Sequence, residues 1–217
     1  MPHRAGATAL IAAPIIGLAA TLTLPGMPAD GTARLAVIEA ESPRFLIANL
    51  LLLASFTLFV LALLSLRGRL AVRGSRWGAW AAIAAAVGWA LHNAIVGMVM
   101  SQLPMASVGD DAVAGALSEA LFEGIGFNAV LMPMLLLTEV GTVLLAVALW
   151  RAGIAPLWAS IVIVVGLVSE FVVPSPFEGV VLYALLLVGF GAIALGLLRE
   201  PQAPRDGSAR PSVVANA

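Results

Sequence analysis

The sequence predicts an all-α protein, a polytopic membrane helix bundle of six transmembrane helices with both termini in the cytoplasm. Three observations predict it: long apolar stretches, few charges and an uneven distribution of arginine along the chain. Of the 217 residues, 61% are hydrophobic and only 11% are charged, whereas soluble domains carry about 25% charged residues. We therefore expect an integral, multi-pass protein of the plasma membrane.

The residue types that the chain lacks exclude several kinds of chemistry. Because the chain contains no cysteine, there are no disulfides, no thiolate nucleophile and no cysteine-ligated metal centre. All 11 residues of the Lys+Arg class are arginine, which excludes the lysine Schiff base of retinal proteins and pyridoxal phosphate enzymes. A net charge of -1 provides no basic field for nucleic acid. We predict no cofactor and no nucleic-acid partner.

The first predicted span covers residues 7–24 and follows Arg4. Its basic start and apolar stretch would also suit a secretory signal, but no clean small-x-small cleavage site follows it. We therefore expect a retained helix. Pro25 and Pro28 end it, because proline lacks the amide hydrogen that a continuing helix needs.

The second and third predicted spans are joined by a basic loop. Residues 44–66 begin after Pro43, and proline suits the first turn of a helix. Residues 77–100 begin at Trp77 and Trp80, and tryptophan is typical of the headgroup level of a membrane. Both stretches are long enough to cross a hydrocarbon core of about 30 Å.

Two segments lie between the first four spans. Residues 32–41 mix short apolar runs with charges, which predicts a short interfacial helix. Residues 101–118 contain Pro104 and Asp110, and we expect them to form a loop.

The last three predicted spans cover residues 125–150, 156–173 and 177–198. Pro174 separates the fifth span from the sixth. Residues 1–199 therefore form one six-span domain. Residues 200–217, rich in proline, serine and polar residues, are predicted to form a disordered cytoplasmic tail.

The distribution of arginine predicts the orientation of the chain. Six spans place nine arginines on one side of the membrane and only Arg34 and Arg44 on the other. Basic residues collect on the cytoplasmic side of membrane proteins, so both termini are expected there. The nine arginines are Arg4, Arg67, Arg69, Arg73, Arg76, Arg151, Arg199, Arg205 and Arg210.

Glu139 lies near the middle of the fourth span. A charged side chain at the centre of a bilayer costs about 2.5–3.5 kcal/mol on insertion scales, so Glu139 should face protein or water and not lipid. The sequence thus predicts a bundle with a polar interior.

Other polar residues fall at similar depths in neighbouring spans. Counted from the cytoplasmic side at about 1.5 Å per residue, His92 and Glu170 lie about 22 Å deep, Asn49 about 27 Å and Glu139 about 18 Å. Asn128 lies on nearly the same helix face as Glu139. The predicted ligand or proton pocket, in the outer half of the bundle, comprises Glu139, His92, Glu170, Asn49, Asn93 and Asn128.

This pocket has a functional and a structural interpretation. A histidine and two carboxylates within hydrogen-bonding range could pass protons, bind a cation or hold a metal ion. Alternatively, Glu139 bonds Thr142 or a backbone carbonyl, Glu170 reaches the outer interface and His92 packs as a satisfied core residue. No H-E-x-x-H or G-x-S-x-G motif occurs, so no metal ligands and no catalytic residues are assigned.

The run from Glu139 to Trp158, EVGTVLLAVALWRAGIAPLW, and the third-span sequence WALHNAIVG resemble uncharacterised six-helix membrane proteins common in GC-rich bacteria. In those proteins a span ending in LWR-x-G-x-x-P-x-W leads into the next. The resemblance covers about half of the chain. It implies a bacterial membrane protein with a six-helix fold, and it implies no activity.

The sequence leaves three functional hypotheses open. The first is a pocket that binds or passes a small solute or a proton, with Glu139 as the central charged group. The second is a non-catalytic accessory subunit whose polar groups fix helix register. The third is an intramembrane hydrolase that uses a metal ion. The expected partners are the lipid bilayer, a small solute or proton, and a membrane protein or a second copy of the chain.

Overall fold

The computed structural model describes residues 3–108, 110–174 and 177–199. Within these ranges the chain is helical and contains no strand, which confirms the predicted all-α class. The predicted tail, residues 200–217, lies outside the described residues. The helices are α1 (His3–Thr23), α2 (Gly31–Ala40), α3 (Ser42–Val72), α4 (Arg76–Met100), α5 (Gln102–Ala106), α6 (Asp111–Glu123), α7 (Ile125–Arg151), α8 (Leu157–Val172) and α9 (Glu178–Arg199).

Five helices of the described chain are long and apolar enough to cross a membrane. They contain the predicted spans at residues 7–24, 44–66, 77–100, 125–150 and 177–198, apart from one or two terminal residues. The predicted span at 156–173 instead forms α8, which has 16 residues, or about 24 Å at 1.5 Å per residue. Pro156 precedes this helix and Pro174 follows the extended Val173, so its length is fixed at both ends.

The five long apolar helices and the shorter α8 form a closed ring. Around it, α1 packs on α3, α3 on α4, α4 on α7, α7 on α8, α8 on α9, and α9 returns to α1. Neighbouring helices run in opposite directions. One end of the ring therefore collects the described arginines that begin or end helices, and we call it the arginine-rich end; these are Arg4, Arg67, Arg69, Arg73, Arg76, Arg151 and Arg199.

Small residues bring α4 and α7 together closely. A Cβ atom on Gly88 would overlap the backbone nitrogen of Thr138, and one on Gly141 would lie 2.6 Å from the nitrogen of Ala85. The two backbones therefore touch directly, which is the usual way for membrane helices to gain packing contacts. This contact sets His92, one turn after Gly88, beside α7.

Aromatic rings fill the centre of the ring of helices. Trp89, which is 2% exposed, stacks on Phe59 with centroids 4.3 Å apart and on His92 with centroids 5.0 Å apart. Phe56 also packs against His92, with centroids 4.8 Å apart. The packed rings fix the orientation of the imidazole.

Helices α2, α5 and α6 pack together as a cap at the end opposite the arginine-rich end. The predicted short helix at 32–41 corresponds to α2, but the predicted loop at 101–118 is wrong, because α5 and the first part of α6 lie there. Asp110 begins α6: its Oδ1 accepts hydrogen bonds from the nitrogens of Ala112 and Val113, each at 3.1 Å. An aspartate cap of this kind satisfies the free amides of a helix start.

Arg34 fastens the three cap helices to one another. Its Nε donates to Gln102 Oε1 at 3.0 Å, and its Nη2 donates to Ser118 Oγ at 2.9 Å. Its guanidinium lies 4.7 Å from the ring centroid of Phe122, and Nη1 donates to the Ala29 carbonyl at 3.2 Å. Arg34 thus joins α2 to α5 and α6 through neutral partners.

Candidate functional site

A cavity of about 610 Å³ opens at the cap end of the ring. All six helices of the ring contribute to its wall, together with the segment that leaves α1. Its polar lining comes from Thr21, Arg44, Trp89, His92, Thr138, Glu139, Glu170, Glu178 and Tyr183. Its apolar lining includes Leu52, Phe56, Leu167 and Leu182. A volume of this size lies within the range of small-molecule sites, which is about 300–1,000 Å³.

Three carboxylates share this cavity: Glu139 from α7, Glu170 from α8 and Glu178 from α9. All three are partly buried, and none forms a hydrogen bond or an ion pair with a described residue. Glu170 lies within electrostatic range of both Glu139 and Glu178. Like charges at this range repel, so the cavity carries an uncompensated negative potential whenever the three groups are ionised.

The helix dipole has opposite effects on Glu178 and Glu170. Glu178 is the first residue of α9, where the positive end of the helix dipole favours a negative charge. Glu170 lies in the last turn of α8, where the dipole opposes a negative charge, and that turn has no basic residue. Glu170 is therefore the carboxylate that gains most from a positively charged occupant.

His92 presents one ring nitrogen as an acceptor. Its Nδ1 lies 3.1 Å from the carbonyl oxygen of Gly88, and a carbonyl only accepts, so the hydrogen bond assigns the proton to Nδ1. Thr138 Oγ1 lies 3.5 Å from the same Nδ1. The lone pair of the neutral imidazole is therefore on Nε2, which bonds no described residue.

Arg44 holds the rim of the cavity together. Its Nε donates to the Thr23 carbonyl at 2.6 Å, at the end of α1, and its Nη1 donates to Glu41 Oε2 at 2.7 Å. A cation at a helix C-terminus is favourable because it faces the negative end of the dipole. The charge of Arg44 is already balanced by Glu41, and the three cavity carboxylates have no such partner among the described residues.

Two further buried groups belong to the cavity wall. Tyr183 packs its ring directly on Gly17 of α1, where a Cβ would overlap it. Trp89 contributes a buried Nε1 hydrogen that has no hydrogen-bond partner among the described residues. A buried donor without a partner costs about 1–3 kcal/mol.

The structure brings together half of the predicted pocket. His92, Glu139 and Glu170 line the cavity, whereas Asn49, Asn93 and Asn128 do not. Asn49 is buried and donates to the Phe45 carbonyl at 2.8 Å. Asn128 donates to the Gly124 carbonyl at 3.2 Å, near the start of α7.

Asn93 lies one residue beyond His92 and does not line the cavity. Its Oδ1 is buried without a hydrogen-bond partner among the described residues. Depth counted along a span gives the height of a side chain, but a short amide can return to its own helix backbone and so never reach the interior. This explains why Asn49 and Asn128 fall outside the cavity.

The contacts of Glu139, Glu170 and His92 can be compared with the structural interpretation of the pocket. Glu139 does not bond Thr142, whose Oγ1 is buried without a partner among the described residues. Glu170 lies in the cavity wall. His92 does match the packed-residue interpretation in part, because its Nδ1 is bonded and its ring is stacked.

Sequence reasoning missed Glu178, Arg44, Trp89 and Tyr183 as cavity residues. Glu178 could have been predicted from the sequence. Glu170 and Glu178 lie on either side of the break at Pro174, where the chain reverses, so both carboxylates are expected at the same end of the bundle. Trp89 and Tyr183 gave no such signal, because a single aromatic residue in an apolar span is ordinary core.

Among the described residues, no group of three or more His, Cys, Asp or Glu side chains is placed so that it could hold a metal ion. Comparisons with protein families, curated proteins and solved structures found no match to this chain.

Proposed function

We propose that this chain is a multi-pass membrane protein that binds a small cationic solute, the proton included, in the cavity and passes it through the ring of helices. The observation that carries the proposal is the shared cavity of Glu139, Glu170 and Glu178, none of which has a bonding partner among the described residues. Ionisable groups inside a membrane are costly and are found where a solute or ion path needs them.

The membrane arrangement that goes with this proposal has six spans. The packing of α8 between α7 and α9 supports its role as a short sixth span, because its outer face exposes Ile161, Val165 and Val168. A hydrophobic stretch shorter than the bilayer is accommodated by local thinning. The arginine-rich end would face the cytoplasm of a bacterial cell, which places the cavity mouth on the outer side of the plasma membrane.

Glu139 would serve as the proton acceptor of the site. Its carboxylate has no bonding partner among the described residues, and it lies in the same wall as His92, whose Nε2 is also without a bonding partner there. A proton from the outer solution could therefore be held on Glu139 when no cationic solute is bound.

The test is uptake of radiolabelled methylammonium, a small cation, into liposomes that contain the purified protein. We expect saturable uptake by the wild-type protein, at least a tenfold reduction by Glu170→Gln, and no change by Glu39→Gln. Glu39 is the matched control because it is exposed and does not line the cavity.

Two results would contradict the proposal. One is uptake no greater than in empty liposomes, with the wild-type protein folded. The other is equal uptake by the wild-type protein and Glu170→Gln. If Glu170→Gln instead prevents recovery of a larger membrane complex, the accessory-subunit hypothesis replaces this one.

A further inference from the structure

We propose that the occupant of the cavity is a small organic polycation, a flexible apolar chain that carries at least two ammonium groups. This inference rests on the proposed function and narrows its solute to one chemical class. Four features of the cavity carry it: its charge, the spread of its carboxylates, its apolar wall and a buried donor.

The negative charge of the cavity favours a solute that carries more than one positive charge. Three carboxylates line it, and the only described cation in its lining, Arg44, is paired with Glu41 at 2.7 Å. When all three are ionised, a singly charged solute leaves two carboxylates without a counter-charge. A solute with two or three ammonium groups compensates most of the cavity at once.

The carboxylates lie on three different helices, α7, α8 and α9. Glu170 lies within electrostatic range of both Glu139 and Glu178. The hydrogen bonds of a single ammonium group are about 2.7–2.9 Å long. A solute with an ammonium group at each end can therefore contact carboxylates of two helices at once.

The wall between these charges is apolar. Leu52, Leu167 and Leu182 line the cavity from three different helices. Leu167 and Leu182 are 1% and 6% exposed, so they offer fixed surfaces rather than mobile side chains. Methylene groups of a diamine would contact these surfaces and leave water, as in other sites that are mostly apolar with a few placed polar groups.

A separate observation indicates that the cavity is built to be occupied. Trp89 is 2% exposed and lines the cavity, yet its Nε1 hydrogen has no partner among the described residues. Its ring stacks on Phe59 and on His92, with centroids 4.3 Å and 5.0 Å away. A water carried in with the solute would supply the missing acceptor.

Isothermal titration of the full-length wild-type protein in a non-ionic detergent tests the inference. The probes are 1-aminobutane, 1,4-diaminobutane, 1,7-diaminoheptane and MgCl₂. We expect each diamine to bind at least tenfold more tightly than 1-aminobutane, and we expect no competition from Mg²⁺ at equal concentration. Because the comparison is between probes on one protein, it does not depend on whether a variant folds.

A second titration locates the two ends of the solute. In Glu178→Gln the preference for 1,7-diaminoheptane over 1-aminobutane should fall at least fivefold, whereas Glu39→Gln should keep it. Glu39 is exposed and lies outside the cavity.

The outcomes separate this inference from the proposed function. If 1-aminobutane binds as tightly as both diamines, the polycation inference is wrong and the cation-binding proposal stands. If Mg²⁺ displaces the diamines at equal concentration, an inorganic cation is the occupant and the inference is again wrong. If no amine and no Mg²⁺ binds to folded protein, and methylammonium uptake is also absent, both are wrong.

Discussion

Gly88 of α4 lies directly against the backbone of Thr138 of α7, with no room for a Cβ atom between them. The contact determines the geometry of the cavity, because His92 is one turn beyond Gly88 and Glu139 is the next residue after Thr138. Thr138 Oγ1 lies 3.5 Å from His92 Nδ1 across the same junction. A close helix crossing thus positions two of the polar groups in the wall.

Gly88→Ala should therefore destabilise the protein. The added methyl would overlap backbone atoms of α7, and overpacking a close contact costs about 1–3 kcal/mol. Thermal unfolding in detergent measures the effect. Gly97→Ala is the matched control in the same helix, because a Cβ there meets nothing within 4 Å. It should be neutral or stabilise slightly, since alanine favours helix over glycine by about 0.5–1 kcal/mol.

Equal melting temperatures for Gly88→Ala and Gly97→Ala would show that α4 and α7 can separate at no cost. The positions of His92 and Glu139 would then not depend on this crossing.

Glu139→Gln and Glu139→Leu should leave the melting temperature unchanged or raise it. The carboxylate has no bonding partner among the described residues, so its removal breaks no contact and relieves repulsion with Glu170. The measurement is thermal unfolding of detergent-purified protein between pH 5 and pH 8. Glu139→Leu should gain most, because it removes a polar group from a partly buried site.

Unfolding or failed expression of both Glu139 variants would mean that the carboxylate supports the fold. The cavity would then lose the central charged group that the sequence predicted for it.

The sequence predicted the ring of helices well and the cavity in part, for physical reasons. The length of an apolar stretch and the prolines that end it can be read from a short piece of sequence. Five long apolar helices therefore match predicted spans, and α8 differs from its predicted span only because it is shorter. His92, Glu139 and Glu170 were found because each polar group stands out in an apolar span. The partners that complete the wall, such as Trp89 and Tyr183, are apolar-type residues whose position depends on how the helices close.

The contacts within the cap could not be predicted from the sequence either. Its helices are short, and the fastening contacts of Arg34 join residues far apart in the sequence, Gln102 and Ser118. The sequence marked Arg34 only as an arginine on the less basic side of the membrane. The contacts of Arg34 depend on the tertiary structure, so no local sequence pattern predicts them.

Arg34→Met should loosen the cap. It removes the donors to Gln102 and Ser118, which are 1% and 0% exposed and then keep only the hydrogen bond from Ser118 Oγ to Gln102 Oε1 between them. Each lost hydrogen bond to a charged group costs about 1.5–3 kcal/mol. Limited proteolysis, read as the rate of cleavage within α2 and α6, measures the effect. Arg67→Met is the control, because Arg67 is exposed and contacts no described partner.

An unchanged cleavage rate in Arg34→Met, equal to that of Arg67→Met, would contradict the assignment of Arg34 as the fastening residue. Slower cleavage than wild type would contradict it as well.

Single-cysteine labelling tests most directly whether the cavity is open and negatively charged. The chain contains no cysteine, so an introduced cysteine is the only thiol that can react. Thr21 lines the cavity, and its neighbour Leu22 is 63% exposed on the outer surface. In liposomes, Thr21→Cys should react with a cationic aminoethyl thiosulfonate at least tenfold faster than with its anionic sulfonatoethyl counterpart, after correction for the reagents' intrinsic rates. Leu22→Cys should react slowly with both, and Glu170→Gln should reduce the charge preference of Thr21→Cys. Equal rates for both reagents at Thr21→Cys, or labelling no faster than at Leu22→Cys, would contradict an open, negatively charged cavity.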